Sequence, residues 1–301
     1  MDKIKNILLT GATGFLGSHL LEGLLLNGYK PIVLIRKNST IQRIEKFLDS
    51  CEIHKLNEDY SNLKELFLLH SIDAIIHTAT DYGRDKKLYE VIESNVVFPL
   101  KLLEEGIQNK IKLFINTDSF FAKRKYQQNY LSNYTTSKRT LEDLLFTFKS
   151  NTKIVNLRLE HIFGENDNET KFVTSLFKQL VLNEKEIALT NGLQQRDLIY
   201  VVDVVSAYIQ ILKSYDNLLN YEEFEVGTGN AISIKQFVLT AKEQIGSNSL
   251  LNFGKLNQRP GDIKKSVADI KKLLKLGWKP KFTLNSAIDE IIKNELIKYK
   301  K

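Results

Sequence analysis

The chain has 301 residues, a formal net charge of +7 and a single cysteine, Cys51. This length can bury a large core in one domain or two connected ones, and one cysteine excludes an internal disulfide. The apolar runs are interrupted well before the ~18 residues that a transmembrane helix needs, so we expect a cytoplasmic protein with no membrane partner. The lysines are scattered rather than gathered on one stripe, which disfavours a nucleic-acid partner.

The first motif lies between an apolar run at residues 7–9 and a helix-like stretch that ends at Leu26. Its glycines permit a sharp turn at Gly11, close backbone approach at Gly14 and close helix packing at Gly17. The helix N-terminus then faces the phosphates of a dinucleotide, although such a triplet also occurs in ordinary turns. We expect these contacts with NAD(P): Gly11, Thr13, Gly14, Phe15, Leu16 and Gly17.

Residues 31–35 read as a second buried strand, and Arg36 and Lys37 follow it. A carboxylate at this point would accept hydrogen bonds from the ribose hydroxyls of NAD, whereas basic residues accommodate a 2′-phosphate. Arg36 therefore favours NADP(H), with NAD(H) as the other cofactor. A solvated surface pair is the alternative interpretation.

The third and fourth strands are predicted at residues 51–56 and 73–80. Asp59 either accepts a hydrogen bond from the adenine amino group or only caps the helix predicted at residues 63–69. The fourth strand ends in small residues, and we expect Ala79 to lie beside the cofactor. His77 is interpreted as a packed strand histidine rather than a catalyst.

A long helix and a fifth strand at residues 112–119 complete five alternations of strand and helix. This alternation predicts an α/β protein with a parallel sheet covered on both faces.

Tyr134 and Lys138 are four residues apart at the start of an amphipathic stretch, so they lie on one face of a helix. An ammonium group near a phenol lowers its pKa, which suits Tyr134 to acid–base catalysis. Thr117, at the tip of the fifth strand, is expected to bind the same substrate oxygen as Tyr134. A surface tyrosine stacked on a lysine is the alternative.

These motifs, with the pair Asp59-Tyr60, resemble the extended short-chain dehydrogenases/reductases of the nucleotide-sugar epimerase/dehydratase kind. The resemblance covers essentially the whole chain. In the second half it is carried by the segments at residues 158–164, 195–203, 226–229, 259–262 and 276–280, with Asp269.

The resemblance implies a Rossmann doubly wound parallel sheet with a smaller C-terminal substrate-binding domain. Residues 1–163 and 197–235 would bind NAD(P), and residues 164–196 and 236–301 a nucleoside-diphosphate sugar, in a homodimer. Tyr60 and His161 would contact the cofactor, although the family usually has Asn in place of His161. Arg196 and Arg259 would bind the diphosphate; ion pairs with Asp197 and Asp262 are the alternative.

Among relatives of this kind, a dehydratase carries Asp and then Glu after the strand-tip Thr, whereas this chain has Asp118 and Ser119. Without that Glu, dehydration is disfavoured. The chain most resembles reductases that make CDP-abequose or CDP-paratose, which implies NAD(P)H-dependent reduction of a sugar C4 keto group. A 4-epimerase and a non-catalytic NAD(P) sensor are the alternatives. No metal ion is expected, and the expected substrate contacts are Asp81, Tyr82, Arg84, Asp118, Ser119, Lys171, Arg196 and Arg259.

Overall fold

A computed structural model describes residues 4–126, 130–294 and 296 of the chain. The strands are β1 (Asn6–Thr10), β2 (Lys30–Arg36), β3 (Glu52–Leu56), β4 (Ala74–His77), β5 (Leu113–Ser119), β6 (Lys153–Leu159), β7 (His161–Phe163), β8 (Glu186–Leu189), β9 (Gln195–Arg196), β10 (Leu198–Tyr200), β11 (Tyr221–Val226), β12 (Ile232–Ser233) and β13 (Leu250–Phe253).

The α-helices are α1 (Phe15–Leu26), α2 (Leu63–Leu69), α3 (Leu88–Ile92), α4 (Phe98–Gln108), α5 (Ser132–Thr147), α6 (Phe172–Val181), α7 (Val201–Lys213), α8 (Ile234–Ile245), α9 (Lys271–Lys275) and α10 (Leu284–Asn294). Between β2 and β3 the chain forms 3₁₀ turns at Gln42–Ser50 rather than an α-helix, and only Ile44 of that segment is buried. The π-helical segment Glu93–Val97 joins α3 to α4.

The central sheet has the strand order β11-β6-β5-β4-β1-β2-β3. The ladders of β1 with β2 and β4 are parallel, and Leu8 lies opposite Ile32 on one side and Ile75 on the other. β1 is therefore a central strand, and its apolar residues Ile7, Leu8 and Leu9 are fully buried. The α/β fold with a doubly wound parallel sheet is confirmed. Because the chain order reverses between β1 and β4, their carboxyl ends border the crevice where such sheets bind ligands.

The chain forms two compact units. The first comprises residues 1–125, 131–158 and 205–224, and the second comprises residues 126–130, 159–204 and 225–301. Short two-stranded ladders, β7 with β10, β8 with β13 and β9 with β12, lie in the second unit. Across the described residues, no helix combines the length and apolarity needed to cross a membrane.

Candidate active site

The glycine loop joins β1 to α1 in the first unit. Gly11 has a φ of +72°, and a Cβ atom there would lie 2.6 Å from the Ala79 amide nitrogen. A Cβ atom at Gly17 would lie 2.0 Å from the carbonyl oxygen of Gly11. Neither position accepts a side chain, so the turn and the close helix packing expected from the sequence are present. Exposed Gly14 precedes α1 and donates its amide to the Gly11 oxygen at 2.9 Å.

Hydrogen bonds tie the end of β1 to the end of β4 beside this loop. The Thr10 hydroxyl lies 2.9 Å from Nδ1 of His77 and accepts from the amides of Thr78 and Ala79 at 3.2 and 3.3 Å. His77 is buried, and burial lowers its pKa to about 3, so it is neutral. The interpretation of His77 as a packed strand histidine is confirmed, and Ala79 lies beside the glycine loop.

Basic side chains follow β2 and reach the same part of the first unit. Arg36 and Lys37 are exposed, and the positive charge of Arg36 helps to lower the pKa of the Asp81 carboxyl. Arg43, which sequence reasoning missed, donates to the Thr13 carbonyl of the glycine loop at 3.4 Å. It lies in the 3₁₀ segment Gln42–Ser50, 30 residues along the chain from Thr13, so no local sequence signal pointed to this contact.

Asp59 and Tyr60 follow β3. Exposed Asp59 accepts from the Ser61 amide at 3.0 Å, and hydrogen bonds from Ser61 lower its pKa. Asp59 therefore caps a turn rather than α2, whose preceding residue is Asn62. Tyr60 stacks on Phe98, with 5.2 Å between ring centroids.

The N-terminal part of α5 carries Tyr134 and Lys138, as the four-residue spacing predicted, and the structure shows that both are buried. The Lys138 Nζ donates to the Thr117 carbonyl oxygen at 2.8 Å and lies 5.8 Å from the centroid of the Tyr134 ring. This places Tyr134, Lys138 and the tip of β5 together.

The expected lowering of the Tyr134 pKa is wrong for this structure. Burial raises the pKa of Tyr134 well above its usual value, and a hydrogen bond from the Ser119 side chain opposes that rise only in part. The same burial lowers the pKa of Lys138 to about 8. Desolvation disfavours the charged form of each group, and for Lys138 it outweighs the opposing effect of the Asp118 charge.

Two aromatic side chains outside the expected constellation contact it. The hydroxyl groups of Thr117 and Tyr208 are 2.6 Å apart, and Tyr208 is fully buried on α7. The ring of Tyr82 stacks on that of Tyr134 at 5.1 Å. Tyr208 lies in an apolar helix far along the chain, so its contact with Thr117 left no signal in the sequence.

The side chain of Asp118, near the end of β5, is completely buried. Its Oδ2 accepts from Arg158 Nε at 2.9 Å and from Asn156 Nδ2 at 3.2 Å. The Asp118 carboxylate is therefore not exposed for the sugar contact that the sequence predicted. Ser119 is also buried, and its hydroxyl accepts from the Phe121 amide at 3.3 Å.

The loop after β4 holds Asp81, Tyr82 and Arg84. Asp81 accepts from Lys86 at 2.5 Å and from the Gly83 amide at 2.8 Å, so its carboxylate already has protein partners. Asn95, within the π-helical segment, accepts from the Asp81 amide at 2.7 Å and donates to Ser137 of α5 at 3.0 Å. Such π-helical insertions occur frequently at functional sites, and this one joins the loop to α5. Arg84 is exposed.

In the second unit, the Arg196 guanidinium is buried and donates to Asp262 Oδ1 at 2.7 Å and to the carbonyls of Gln195 and Ile263. A diphosphate contact by Arg196 would have to share this group with Asp262. Asp197 does not form the expected ion pair; it accepts from the amides of Thr228, Gly229 and Ala268 at 2.8 to 3.1 Å.

Three other residues of the second unit were expected to contact the substrate or the cofactor. Arg259 is exposed, and its Cζ lies 4.2 Å from the centroid of the Tyr130 ring. Lys171 precedes α6 and pairs with Asp167 at 3.1 Å. Burial and the nearby Arg196 lower the pKa of His161 to about 3, so His161 is neutral.

Comparisons with known proteins show the relatives of the chain. Residues 7–227 match the model of the NAD dependent epimerase/dehydratase family. Over 296 residues the chain is 35% identical to CDP-abequose synthase of Salmonella typhimurium, a match that covers 95% of this chain and 97% of that protein.

Solved structures share the fold. A UDP-glucose 4-epimerase of Thermotoga maritima with UDP-glucose superposes with a TM-score of 0.85 at 24% identity, over 98% of this chain and 99% of that one. A UDP-glucose-4-epimerase of Stenotrophomonas maltophila with bound NAD and formylated UDP-arabinopyranose gives 0.86 at 20% identity, over the same shares.

Proposed function

We propose, from the premise that this chain belongs to the NAD-dependent epimerase/dehydratase family, that it reduces the C4 keto group of a nucleoside-diphosphate 4-keto-6-deoxy sugar with NAD(P)H. The chain is an NAD(P)-dependent nucleotide-sugar oxidoreductase. Its sequence identity of 35% to CDP-abequose synthase, over 95% of this chain, supports a role in deoxysugar synthesis. Such sugars would serve a cell-surface polysaccharide.

The observation that carries the proposal is the placement of buried Tyr134 and Lys138 together at the tip of β5, which bears Thr117. Burial raises the pKa of Tyr134, which favours the protonated phenol. Reduction of a ketone needs a proton donor at the oxygen, whereas epimerisation begins with removal of a proton from a hydroxyl group. Asp118 is held by Arg158, and Ser119 is a hydroxyl, so neither residue after Thr117 is a free carboxylate base for dehydration.

The residues of the first unit suit a dinucleotide. Gly11 and Gly17 pack against protein backbone, and exposed Gly14 leaves the backbone before α1 accessible to a pyrophosphate at the helix N-terminus. Arg36, Asp59 and Tyr60 would hold the adenosine end. When bound, the reduced nicotinamide supplies the hydride that sugar C4 accepts.

The protein side chains then have separate tasks in the reduction. Tyr134 donates its phenolic proton to the C4 oxygen, while the Thr117 hydroxyl, oriented by Tyr208, hydrogen-bonds the same oxygen. The Lys138 ammonium, fixed by the Thr117 carbonyl, compensates the phenolate that Tyr134 leaves behind.

The cofactor is proposed to be NADPH, because Arg36, Lys37 and Arg43 bring positive charge to the glycine loop and the end of β2. Arg36→Asp should shift the ratio of kcat/KM values from NADPH towards NADH, since a carboxylate accepts from the ribose hydroxyls and repels a phosphate. Lys64→Asp, an exposed charge reversal in the same unit, is the control. An unchanged ratio in Arg36→Asp contradicts the assignment.

The second unit is proposed to bind the nucleoside diphosphate through Arg196, Arg259 and Lys171. Arg259→Ala should weaken nucleotide-sugar binding by a few kcal/mol, because a charged acceptor loses its partner. Isothermal titration with the free nucleoside diphosphate measures this loss. We also propose a cytoplasmic homodimer, for which sedimentation of the purified protein gives the mass.

The reaction class is tested with a panel of nucleotide 4-ketosugars and NADPH or NADH. A reductase oxidises one equivalent of cofactor for each ketosugar consumed and gives a 4-hydroxy sugar. Purified protein that holds non-exchanging NAD and interconverts two 4-hydroxy nucleotide sugars without net oxidation is an epimerase, and this result overturns the proposal. Binding of cofactor without turnover of any sugar indicates a sensor.

A further inference from the structure

Strand alternation separates the polar residues at the tip of β5 into two sets. Asn116 and Asp118 project from one face, while Thr117 and Ser119 project from the other. On the first face Asn116 donates to Asn156 of β6 at 2.7 Å, and Asn156 donates to Asp118 at 3.2 Å. The Asp118 carboxylate therefore belongs to a buried polar row that leads away from the hydroxyl groups of the site.

Arg158 of β6 connects this row to α5. Its Nε donates to Asp118 at 2.9 Å, and its Nη2 donates to Glu142 Oε1 at 2.7 Å. Glu142 follows Lys138 by four residues and Tyr134 by eight, so all three lie along one face of α5. Arg158 thus fixes the Asp118 carboxylate under the helix that carries Tyr134 and Lys138.

The cluster has more carboxyl groups than cations. Arg158 contacts Asp118 and Glu142, and Glu223 lies 3.9 Å away. Burial raises the pKa of Glu142 to about 7, so this carboxyl group is only partly ionised near neutral pH. Asp118 Oδ1 is buried and accepts no hydrogen bond from any described residue. The negative charge of Asp118 is thus only partly compensated inside the cluster.

Lys138 is a buried cation four residues before Glu142 on α5. Its Nζ donates at 2.8 Å to the Thr117 carbonyl, whose carbon is bonded directly to the Asp118 nitrogen. The titratable groups that face Lys138 are Asp118 on β5, His77 on β4 and Tyr134 on its own helix. His77 and Tyr134 are neutral at pH 7, so Asp118 supplies the negative charge.

We propose that Asp118 is a positioning residue that acts through Lys138: its buried carboxylate, oriented by Arg158 and Asn156, keeps the Lys138 ammonium charged in a site that excludes water. Without an anion nearby, desolvation would convert a buried lysine to the neutral amine. Asp118 then contributes to turnover without touching the sugar.

The first test observes Lys138 directly and requires no substrate. In carbon–proton spectra of protein with ¹³C-labelled lysine, the signal that disappears in Lys138→Arg identifies Lys138. In wild-type protein this signal should titrate near pH 8, and in Asp118→Asn it should titrate lower, by roughly one pH unit. Asp143→Asn is the matched control, because Asp143 lies on the same helix but pairs with Arg124 at the surface.

A folded Asp118→Asn protein in which Lys138 titrates as in the wild type overturns the proposal. If that variant does not fold, the wild-type titration still decides, because a Lys138 that is already neutral at pH 7 contradicts a role for Asp118 in keeping it charged.

The second test rests on the proposed reduction and uses the pH dependence of kcat. In Asp118→Asn the alkaline loss of kcat should move to lower pH, while KM for the sugar stays near the wild-type value. A residue that contacts the sugar would instead raise KM without moving the alkaline limb. Because the lysine titration is independent of any substrate, failure of the proposed reduction leaves the first test intact.

Discussion

Tyr134 and Lys138 respond in opposite directions to the same burial. Removal from water favours the neutral form of each, so the pKa of Tyr134 rises and that of Lys138 falls to about 8. The sequence spacing predicted correctly that both lie on one helical face. It did not predict that this face is buried, and burial is the reason that the pKa of Tyr134 rises instead of falling.

Tyr134→Phe should lower turnover about 10²- to 10⁴-fold, because it removes the proton donor and preserves the ring that stacks on Tyr82. The dissociation constant for NADPH should stay close to the wild-type value. Tyr89→Phe, which removes the hydroxyl from an exposed tyrosine, is the control. Near wild-type turnover in Tyr134→Phe would exclude Tyr134 as the proton donor.

Lys138→Met should stabilise the protein and abolish efficient turnover. The Lys138 pKa falls from 10.5 in an exposed chain to about 8 in the folded state, which makes the buried charge cost about 3 kcal/mol below pH 8. Loss of the bond to the Thr117 carbonyl offsets about 1 kcal/mol of the gain.

Urea unfolding at several pH values measures this effect. Between pH 8 and 10.5 the folded wild type binds fewer protons than the unfolded chain, so its unfolding free energy should approach that of Lys138→Met as the pH rises. Lys46→Met, at an exposed ion pair, should change stability little. A Lys138→Met protein less stable than the wild type at pH 7 contradicts this account.

At the scale of elements, the glycine loop divides its tasks between packing and binding. A Cβ atom at Gly17 would lie 2.0 Å from the Gly11 carbonyl oxygen, which is a steric clash. A Cβ atom at exposed Gly14 would lie 3.2 Å from the same oxygen. Gly17 therefore serves the contact between α1 and the loop, and Gly14 is proposed to serve the cofactor.

Gly17→Ala should lower the unfolding free energy by about 1–3 kcal/mol or more, because the backbone must move to admit the methyl group. Gly14→Ala should retain near wild-type stability and weaken NADPH binding. Thermal unfolding and cofactor titration of both variants separate the two effects. Equal loss of stability in both would show that Gly14 is also a packing residue.

The strand β5 shows how one element serves two surfaces. The sequence predicts that Thr117, Asp118 and Ser119 lie at a strand tip, and all three were expected to face the sugar or the reacting oxygen. Because β5 extends through Ser119, alternation turns Asp118 to the opposite side, where Arg158 holds it. The predicted strand at residues 112–119 already implied this alternation, but the partner of Asp118 was not predictable locally, because Arg158 lies 40 residues along the chain.

At the scale of the whole molecule, Asp197 connects distant parts of the second unit. It is fully buried and accepts from the Thr228 and Gly229 amides and from the Ala268 amide, 71 residues along the chain. Asp197→Ala should therefore lower the unfolding free energy by several kcal/mol, since it leaves buried amides without acceptors. Asp269→Ala, at an exposed turn, is the control. A melting temperature as high as that of the wild type in Asp197→Ala would contradict this role.

Elements and motifs with local signals were predictable from the amino-acid sequence. The alternation of strands and helices, the glycine spacing and the four-residue step from Tyr134 to Lys138 each depend on backbone periodicity within one segment. For the same reason the packed state of His77 was predictable from its place in an apolar strand.

The pairing and burial of the polar groups were not predictable in this way, because they depend on the tertiary fold. The partners of Thr117, Asp118 and Arg196 come from α7, β6 and residues 262–263, all far along the chain. Hydrogen bonding and desolvation depend on distances in space, and these decide the charge of Lys138 and the proton on Tyr134. A sequence pattern specifies which groups are present, but their protonation follows from the residues that the fold brings around them.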